Sequence, residues 1–472
     1  MQRVDELGVS AVEKDAMWAG FASGDITCPV GTPLGGNIRE DKNARGVHDP
    51  LLATVAVLGH GGSPETVLIS LDLVSVPNQL ADSIRSEVAE NLGLGEEQIC
   101  VFATHTHSGG DVACGDGFES HDYSAVESWM ATLPGLITQV VAAAARDMGP
   151  VRMSVGVTRV DDLSFNRRIR MTDGTTRMNW EPLDPSDVDR PWGPIDPELI
   201  VLRWNDETGR VRGVLVHFAL HPAILVGHDW LVSRDFVGPL VDSVKAVVGA
   251  AVPVLFANGA LGDINHLDYR NRDRRIGFVE SERVGRRLGE SAVAALEIAH
   301  PSITPNDLSV SALVLTLNQR VADHLEVEEA RQLLADLNER TPSELDGVPP
   351  EAYARWLLTK GQYLAPQLKV TLTIVTIGEV AFVFAPFEVF VDLGIALRNS
   401  VLNKIAKVIS LANGYFGYLP TKAAFEQDGY ETTFGTSTIA AGQAEVLISE
   451  AVAALRGTAG GFVPPVFAPK PS

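Results

Sequence analysis

Cys100-Val101-Phe102-Ala103-Thr104-His105-Thr106-His107-Ser108-Gly109-Gly110 is the stretch that decides how this chain is read. It opens as a short apolar run, the kind found in fully buried strands, and closes on small and polar residues. A buried strand that empties into histidine and glycine points to an α/β protein whose site lies at the carboxyl ends of its strands. On extended backbone, residues i and i+2 project to the same side, so His105 and His107 reach one cavity. One imidazole can then bind a metal while the other works beside it. The plain alternative is a pair of strand-end histidines bonded to nearby backbone.

Outward from that stretch, similar apolar runs predict strands over 51–58, 66–73, 199–204, 211–220, 252–257, 308–317, 370–377 and 380–384. Helical periodicity predicts helices over 79–91, 125–146, 236–248, 279–298, 326–339, 389–399 and 441–455. Strands and helices alternate, which predicts α/β: a mixed β-sheet core flanked by helices, with both sheet faces covered. Segments 151–160 and 308–317 read as antiparallel additions. Segment 184–196 reads as an irregular loop rich in Pro and Asp, and 341–350 as the link of a helical hairpin. The expected organisation is an arm over 1–19, one catalytic domain over 20–458 and a Pro-rich tail over 459–472. A faint internal likeness, a strand ending in an acid and then a helix, joins 68–72 to 382–388. By itself it is too weak to indicate a duplication.

Composition narrows the function classes. The chain of 472 residues carries 38 Lys and Arg against 60 Asp and Glu, a formal net charge of −22. Such a surface repels nucleic acid and anionic headgroups, so neither is an expected partner. No apolar run of about 18 residues is apparent, so membrane insertion is not expected. Cys28, Cys100 and Cys114 are widely spaced and odd in number. That pattern fits reduced thiols in a cytoplasmic protein and not a disulfide framework. The N-terminus lacks the apolar core of a secretory signal.

Other strand ends also deliver chemistry. His221 follows the run 211–220, and Pro222 ends that strand. Glu388 follows 380–384, where it is either a helix-start acid or a ligand. The turn Asn258-Gly259-Ala260-Leu261-Gly262-Asp263-Ile264-Asn265 has polar tips and two glycines, as active-site turns and ordinary surface turns both do.

These segments, in this order, resemble the neutral ceramidase family from about Gly20 to Leu455. The resemblance rests on Gly24-Asp25-Ile26-Thr27, Gly46-Val47-His48, Ser70-Leu71-Asp72, Thr104 to Gly109, Asn166-Arg167, Phe218 to Pro222, Gly262-Asp263, Pro386-Phe387-Glu388, and Tyr415 to Tyr418 with Thr421. It implies a neutral-ceramidase-like catalytic domain with one zinc ion per chain, held by His105, His221, Glu388 and Tyr418. It also places His107 in the site as acid/base or water-orienting group. Arg167 would bind a carbonyl oxygen or an anionic group, with an exchange of roles with Arg168 left open. Tyr418 would ligate or stabilise an oxyanion.

The departures redirect the substrate. Asn265 stands where the family has a serine with a direct role in amide cleavage, and an amide is no nucleophile. Asn265 would hold substrate instead. The family's C-terminal immunoglobulin-like domain and export signal are expected to be missing. The resulting expectation is a zinc-dependent hydrolase acting on an amide-type bond of a small polar molecule. The alternatives are an esterase, lactonase or lyase on the same scaffold, or a non-catalytic binding protein.

Overall fold

The computed structural model describes residues 16–36, 42–113, 122–225, 229–271, 275–303, 307–336, 350–359, 361 and 364–457. Residues 1–15 of the expected arm, the 459–472 tail, 341–349 of the expected linker and Cys114 lie outside the described residues.

One arrangement occurs three times. In the first unit, β1 (Met17–Asp25), β2 (Leu52–His60) and β3 (Ser63–Leu71) pair antiparallel in sequence order. Helix α1 (Asn78–Leu92) then returns the chain so that β4 (Ile99–Ala103) pairs parallel with β3, and α2 (Ser124–Met130) and α3 (Leu133–Arg146) follow. The second unit repeats this with β5 (Arg152–Arg159), β6 (Glu198–Asn205), β7 (Val211–Phe218), α4 (Val237–Val248), β8 (Val254–Asn258) and α5 (Phe278–Glu297). The third has β9 (Leu308–Asn318), the helix pair α6 (His324–Asp336) and α7 (Pro350–Thr359), then β10 (Gln367–Ile377) and β11 (Val380–Phe384). It closes with α8 (Val391–Ser400), β12 (Ile405–Ile409) and α9 (Gln443–Arg456). The parallel pair in each unit needs a helical crossover, and the antiparallel pairs do not.

Strand alternation divides the core. Val55, Val67, Ile69 and Val101 face outward onto α1 and α3, while Ala56, Leu58, Leu68 and Phe102 face inward. In the second unit Val214, Val216 and Phe256 meet α4 and α5, and Leu215 and Leu255 face inward. In the third, Val383 and Val408 meet α8 and α9, and Phe382, Phe384 and Ile409 face inward. The inward residues of all three sheets form one cluster. Each sheet is therefore covered by helices on one face and by the other sheets on the second. This explains why the strands read as nearly continuous apolar runs.

Two expectations change. Segments 151–160 and 308–317 are antiparallel, but β5 and β9 are the first strands of their units and not additions. The run Ser124–Arg146 is long and apolar enough to cross a membrane on length and composition alone. It folds as α2 and α3, broken before Pro134 at the start of α3. Ile137, Val141 and Ala144 of α3 are buried in the first unit's core, as in a core helix.

Within every unit the third and fourth strands run parallel, so their carboxyl ends emerge together. Asn258, the last residue of β8, ties the three units at that end. Its Nδ2 donates to the carbonyls of Thr104 (3.0 Å) and Leu220 (2.8 Å). Its own carbonyl accepts from Ser410 N at 3.0 Å. One buried asparagine thus fixes the residue before His105, the residue before His221 and, through its backbone carbonyl, the exit of β12.

Candidate metal centre

Four side chains meet where these strands end. His105 follows β4, His221 follows β7 and Glu388 follows β11, one from each unit, and His107 joins from the His105 loop. His105 Nε2 lies 3.0 Å from His221 Nε2 and 3.3 Å from His107 Nε2. Glu388 Oε2 lies 3.4 Å from His105 Nε2 and 4.0 Å from His221 Nε2.

The local backbone is bent to achieve this. His105 has φ 77°, a left-handed conformation that costs a side-chain-bearing residue about 1–2 kcal/mol. The surroundings hold it there. His105 N donates to Leu73 O (2.9 Å), Thr104 N donates to Leu71 O (2.8 Å), and Thr104 Oγ1 donates to Asp72 Oδ1 (3.1 Å). Strain that neighbours over-determine is characteristic of sites. Asp72 thus shapes the site from behind. His107 N donates to Pro222 O (3.1 Å), joining the two histidine loops. Gly36 (φ 72°) lies over the His107 ring, where a Cβ would stand 2.4 Å from Nδ1.

Proton placement makes the cluster a set of acceptors. His105 Nδ1 donates to Val74 O at 2.5 Å, and His221 Nδ1 donates to Leu261 O at 3.5 Å. In a neutral imidazole this leaves each Nε2 as a lone pair facing the centre. Glu388 Oε1 accepts from Tyr415 OH at 2.8 Å, while its buried Oε2 has no hydrogen-bond partner among the described residues. Burial alone would raise the Glu388 pKa, but His105 and Arg167 outweigh it and hold the carboxyl down at about 2. Burial, then the neighbouring His105, pushes His107 down to about 3. Burial drives His221 well below its ordinary range, with His105 adding to it.

Lone pairs that point at one another without a proton between them call for a cation. Donors of a tetrahedral zinc ion stand about 3.3 Å apart, given bonds of about 2.0–2.1 Å. The spacings here cluster around that value, so the residues fit a metal ion. His105, His107 and His221 form the histidine group able to hold it.

Tyr418 pairs in register with Glu388 on short parallel strands and lies beside its carboxylate. Burial, then Glu388, raises its phenol well above the usual range. Arg167 enters from the loop between β5 and β6. Its guanidinium lies 5.2, 5.4 and 5.7 Å from the ring centroids of Trp180, Tyr418 and Tyr430. Nε donates to Glu431 Oε1 at 2.7 Å, Nη1 lies 3.4 Å from His221 Nδ1, and buried Nη2 has no hydrogen-bond partner among the described residues. Arg168 points elsewhere. Its Nη1 donates to Glu431 Oε2 (2.7 Å) and its Nη2 to the carbonyls of Ala424 (3.3 Å) and Asp428 (2.5 Å). The question of which arginine faces the histidines is answered by geometry: Arg167.

Asn265 is brought close in a different way. Its Nδ2 donates to Asn179 Oδ1 (2.8 Å), and its Oδ1 accepts from Asn179 Nδ2 (2.7 Å) and Leu267 N (2.9 Å). Asn179 N donates to Arg167 O at 2.8 Å. Asn265 is thus part of the wall behind Arg167, and its carbonyl oxygen is fully engaged. Glu431, Tyr415, Tyr430 and Trp180 escaped the sequence reading. Tyr415 alone carried a signal, because it stands in the quoted Tyr415-to-Tyr418 motif.

The sequence model of the neutral/alkaline non-lysosomal ceramidase N-terminal region matches residues 18–244. That span contains His105, His107, Arg167 and His221 but ends before Glu388 and Tyr418. Neutral ceramidase from Pseudomonas aeruginosa shares the fold with TM-score 0.69, at 19% identity, over 97% of this chain and 76% of that one. A ceramidase complexed with C2 gives TM-score 0.68, at 18% identity, over 97% and 77%. Sequence over residues 18–244 and fold over nearly the whole length agree: the first part of the chain is similar to the neutral/alkaline non-lysosomal ceramidase N-terminal region, and the chain has the neutral ceramidase fold.

Proposed function

We propose that this protein is a zinc-dependent hydrolase that cleaves an amide-type C–N bond of a small polar substrate in the cytoplasm. The family and fold imply a hydrolase. The observation that carries the metal is the convergence on one point of His105 Nε2, His221 Nε2 and Glu388 Oε2, which has no hydrogen-bond partner among the described residues. Imidazole nitrogen and carboxylate oxygen are a donor set that zinc favours, and Tyr418 is the fourth ligand in this reading. Bound there, zinc supplies Lewis acidity, which polarises a carbonyl and makes water acidic enough to attack near neutral pH.

The chain's own groups do the rest. His107, whose Nε2 lies 3.3 Å from His105 Nε2, orients the attacking water or handles its proton on the way to the leaving amine. Arg167 presents its buried Nη2 to the oxygen on which charge develops. Trp180 and Tyr430 hold that guanidinium in place from its faces. Asn265 shapes the wall and supplies no nucleophile, so water is the attacking group. The cytoplasmic assignment draws support from Cys28 and Cys100, both buried and free.

Metal analysis tests the assignment directly. Purified protein is expected to carry about one zinc per chain. A His105→Ala, His221→Ala double variant loses it, and unchanged zinc content there refutes the metal assignment. His107→Ala keeps its zinc but loses turnover by about 100- to 10,000-fold. Turnover is sought with a panel of small amides, esters and lactams. Hydrolysis of esters without any amide would replace the amidase reading with an esterase.

A further inference from the structure

Glu431 is the most completely buried acid near the site, with no exposed surface, and it grips two adjacent arginines with one carboxylate. The two grips differ. Arg168 offers Nη1, and its other amino group is spent on backbone carbonyls. Arg167 offers Nε, the side of its guanidinium. A guanidinium held at Nε turns its Nη1/Nη2 fork away from the carboxylate, and a fork of that kind takes up oxygen acceptors. Here the fork is directed to the histidine side: Nη1 is 3.4 Å from His221 Nδ1, and Nη2 is buried and partnerless among the described residues.

A buried donor without an acceptor is costly unless a ligand supplies one. Without Glu431, Arg167 would be drawn to the other carboxylate in reach, Glu388, whose charge it already feels. We propose that Glu431 is a positioning residue, which holds Arg167 side-on so that its fork meets the substrate oxygen and does not collapse onto Glu388. The proposal rests on the reading of the site as a zinc hydrolase centre in which Arg167 binds an oxygen acceptor. It adds the residue that keeps Arg167 in that posture.

Acetohydroxamic acid is a suitable probe, because it combines a metal-binding group with a carbonyl oxygen. Its affinity for the zinc-loaded protein is measured by calorimetry in the parent, Arg167→Ala, Glu431→Gln, Glu431→Asp and Arg168→Met. Arg167→Ala and Glu431→Gln are each expected to weaken binding by about tenfold, the worth of one charge-assisted hydrogen bond. Arg168→Met cuts the other arm of the same carboxylate. It is expected to lower the Tm while leaving the affinity within about twofold of the parent, because a buried charge partner is lost but Arg167 is still held. A merely structural Glu431 would make Arg168→Met and Glu431→Gln behave alike, and that result overturns the proposal. Glu431→Asp keeps the charge but cannot span both arginines, so it reports on posture if Glu431→Gln does not fold. Parent-like affinity in Glu431→Asp and Glu431→Gln, with weakened binding in Arg167→Ala, sinks this inference alone. No binding to the parent, or parent-like affinity in Arg167→Ala, sinks the reading beneath it as well.

Discussion

Glu388 and Asp263 are both buried carboxylates near the carboxyl ends of parallel strands, and their difference separates an acid with an oxygen to spare from a scaffold acid. Asp263 accepts from Asn166 Nδ2 at 2.9 Å on one oxygen and from Val391 N at 2.7 Å on the other. It has no unused oxygen facing the site, and it fixes the first turn of α8. Glu388 spends one oxygen on Tyr415 and keeps the other, buried, for something else. Burial pushes both pKa values up. For Asp263 the neighbouring acids Asp392 and Glu431 push the same way, and the carboxyl rises to about 7. For Glu388, His105 and Arg167 reverse the effect and hold it at about 2. Burial of an acid therefore says little about its role; the sign of the charges facing it says much more.

The largest effects expected from this comparison fall on the metal. Glu388→Gln replaces the unsatisfied anionic oxygen with a neutral amide. It is expected to lower zinc affinity by more than about 100-fold, beyond the loss typical for a residue that only supports a ligand. Equilibrium dialysis against a chelator reads this directly. Parent-like zinc affinity in Glu388→Gln would erase the distinction between the two acids.

Asp263→Asn is expected to leave zinc content unchanged and to act on stability, in a pH-dependent way. The folded Asp263 pKa, raised to about 7, lies above its unfolded value near 3.8, so folding takes up a proton between those limits. Its contribution to stability is complete below pH of about 4 and is lost as pH rises through about 7. Asparagine mimics the protonated acid and does not titrate. The cost of Asp263→Asn is therefore expected to be greater at pH 5 than at pH 8, by up to about 3 kcal/mol, as about two pKa units separate pH 5 from the folded value and each carries about 1.4 kcal/mol. Denaturant unfolding at the two pH values checks this, and a cost that grows with pH would contradict the assignment.

Legibility in the sequence followed the same division. Most strands were readable because both faces of their sheets are buried, which leaves short runs of Val, Ile and Leu; β1 was missed, its first residues falling in the expected arm over 1–19, and β9 is largely exposed. His105, His221 and Glu388 were readable because each follows such a run within a few residues. The triplication was not, because it lives in the order of pairing and not in side chains. The faint likeness between 68–72 and 382–388 falls on equivalent places, the exits of β3 and β11. Glu431 and Trp180 lie outside the apolar runs, and Glu431 reaches Arg167 across 264 positions. No local pattern encodes a pairing of that span. Asn258 was visible only as part of a turn, although its side chain and backbone carbonyl together span all three units.

The smallest effect expected concerns the oxygen of Glu388 that is already bonded. Tyr415 OH donates to Oε1 at 2.8 Å and so sets the carboxylate's rotation, leaving Oε2 toward the histidines. Tyr415→Phe removes that bond and keeps the ring. Supporting partners of metal ligands are worth about 10- to 100-fold in affinity, and the low end applies here because Tyr418 still lies beside the same carboxylate. Zinc affinity is therefore expected to fall by about tenfold, well short of the loss in Glu388→Gln. A loss as large as that of Glu388→Gln would mean that Oε1 and not Oε2 faces the metal, and the two oxygens would have to exchange roles.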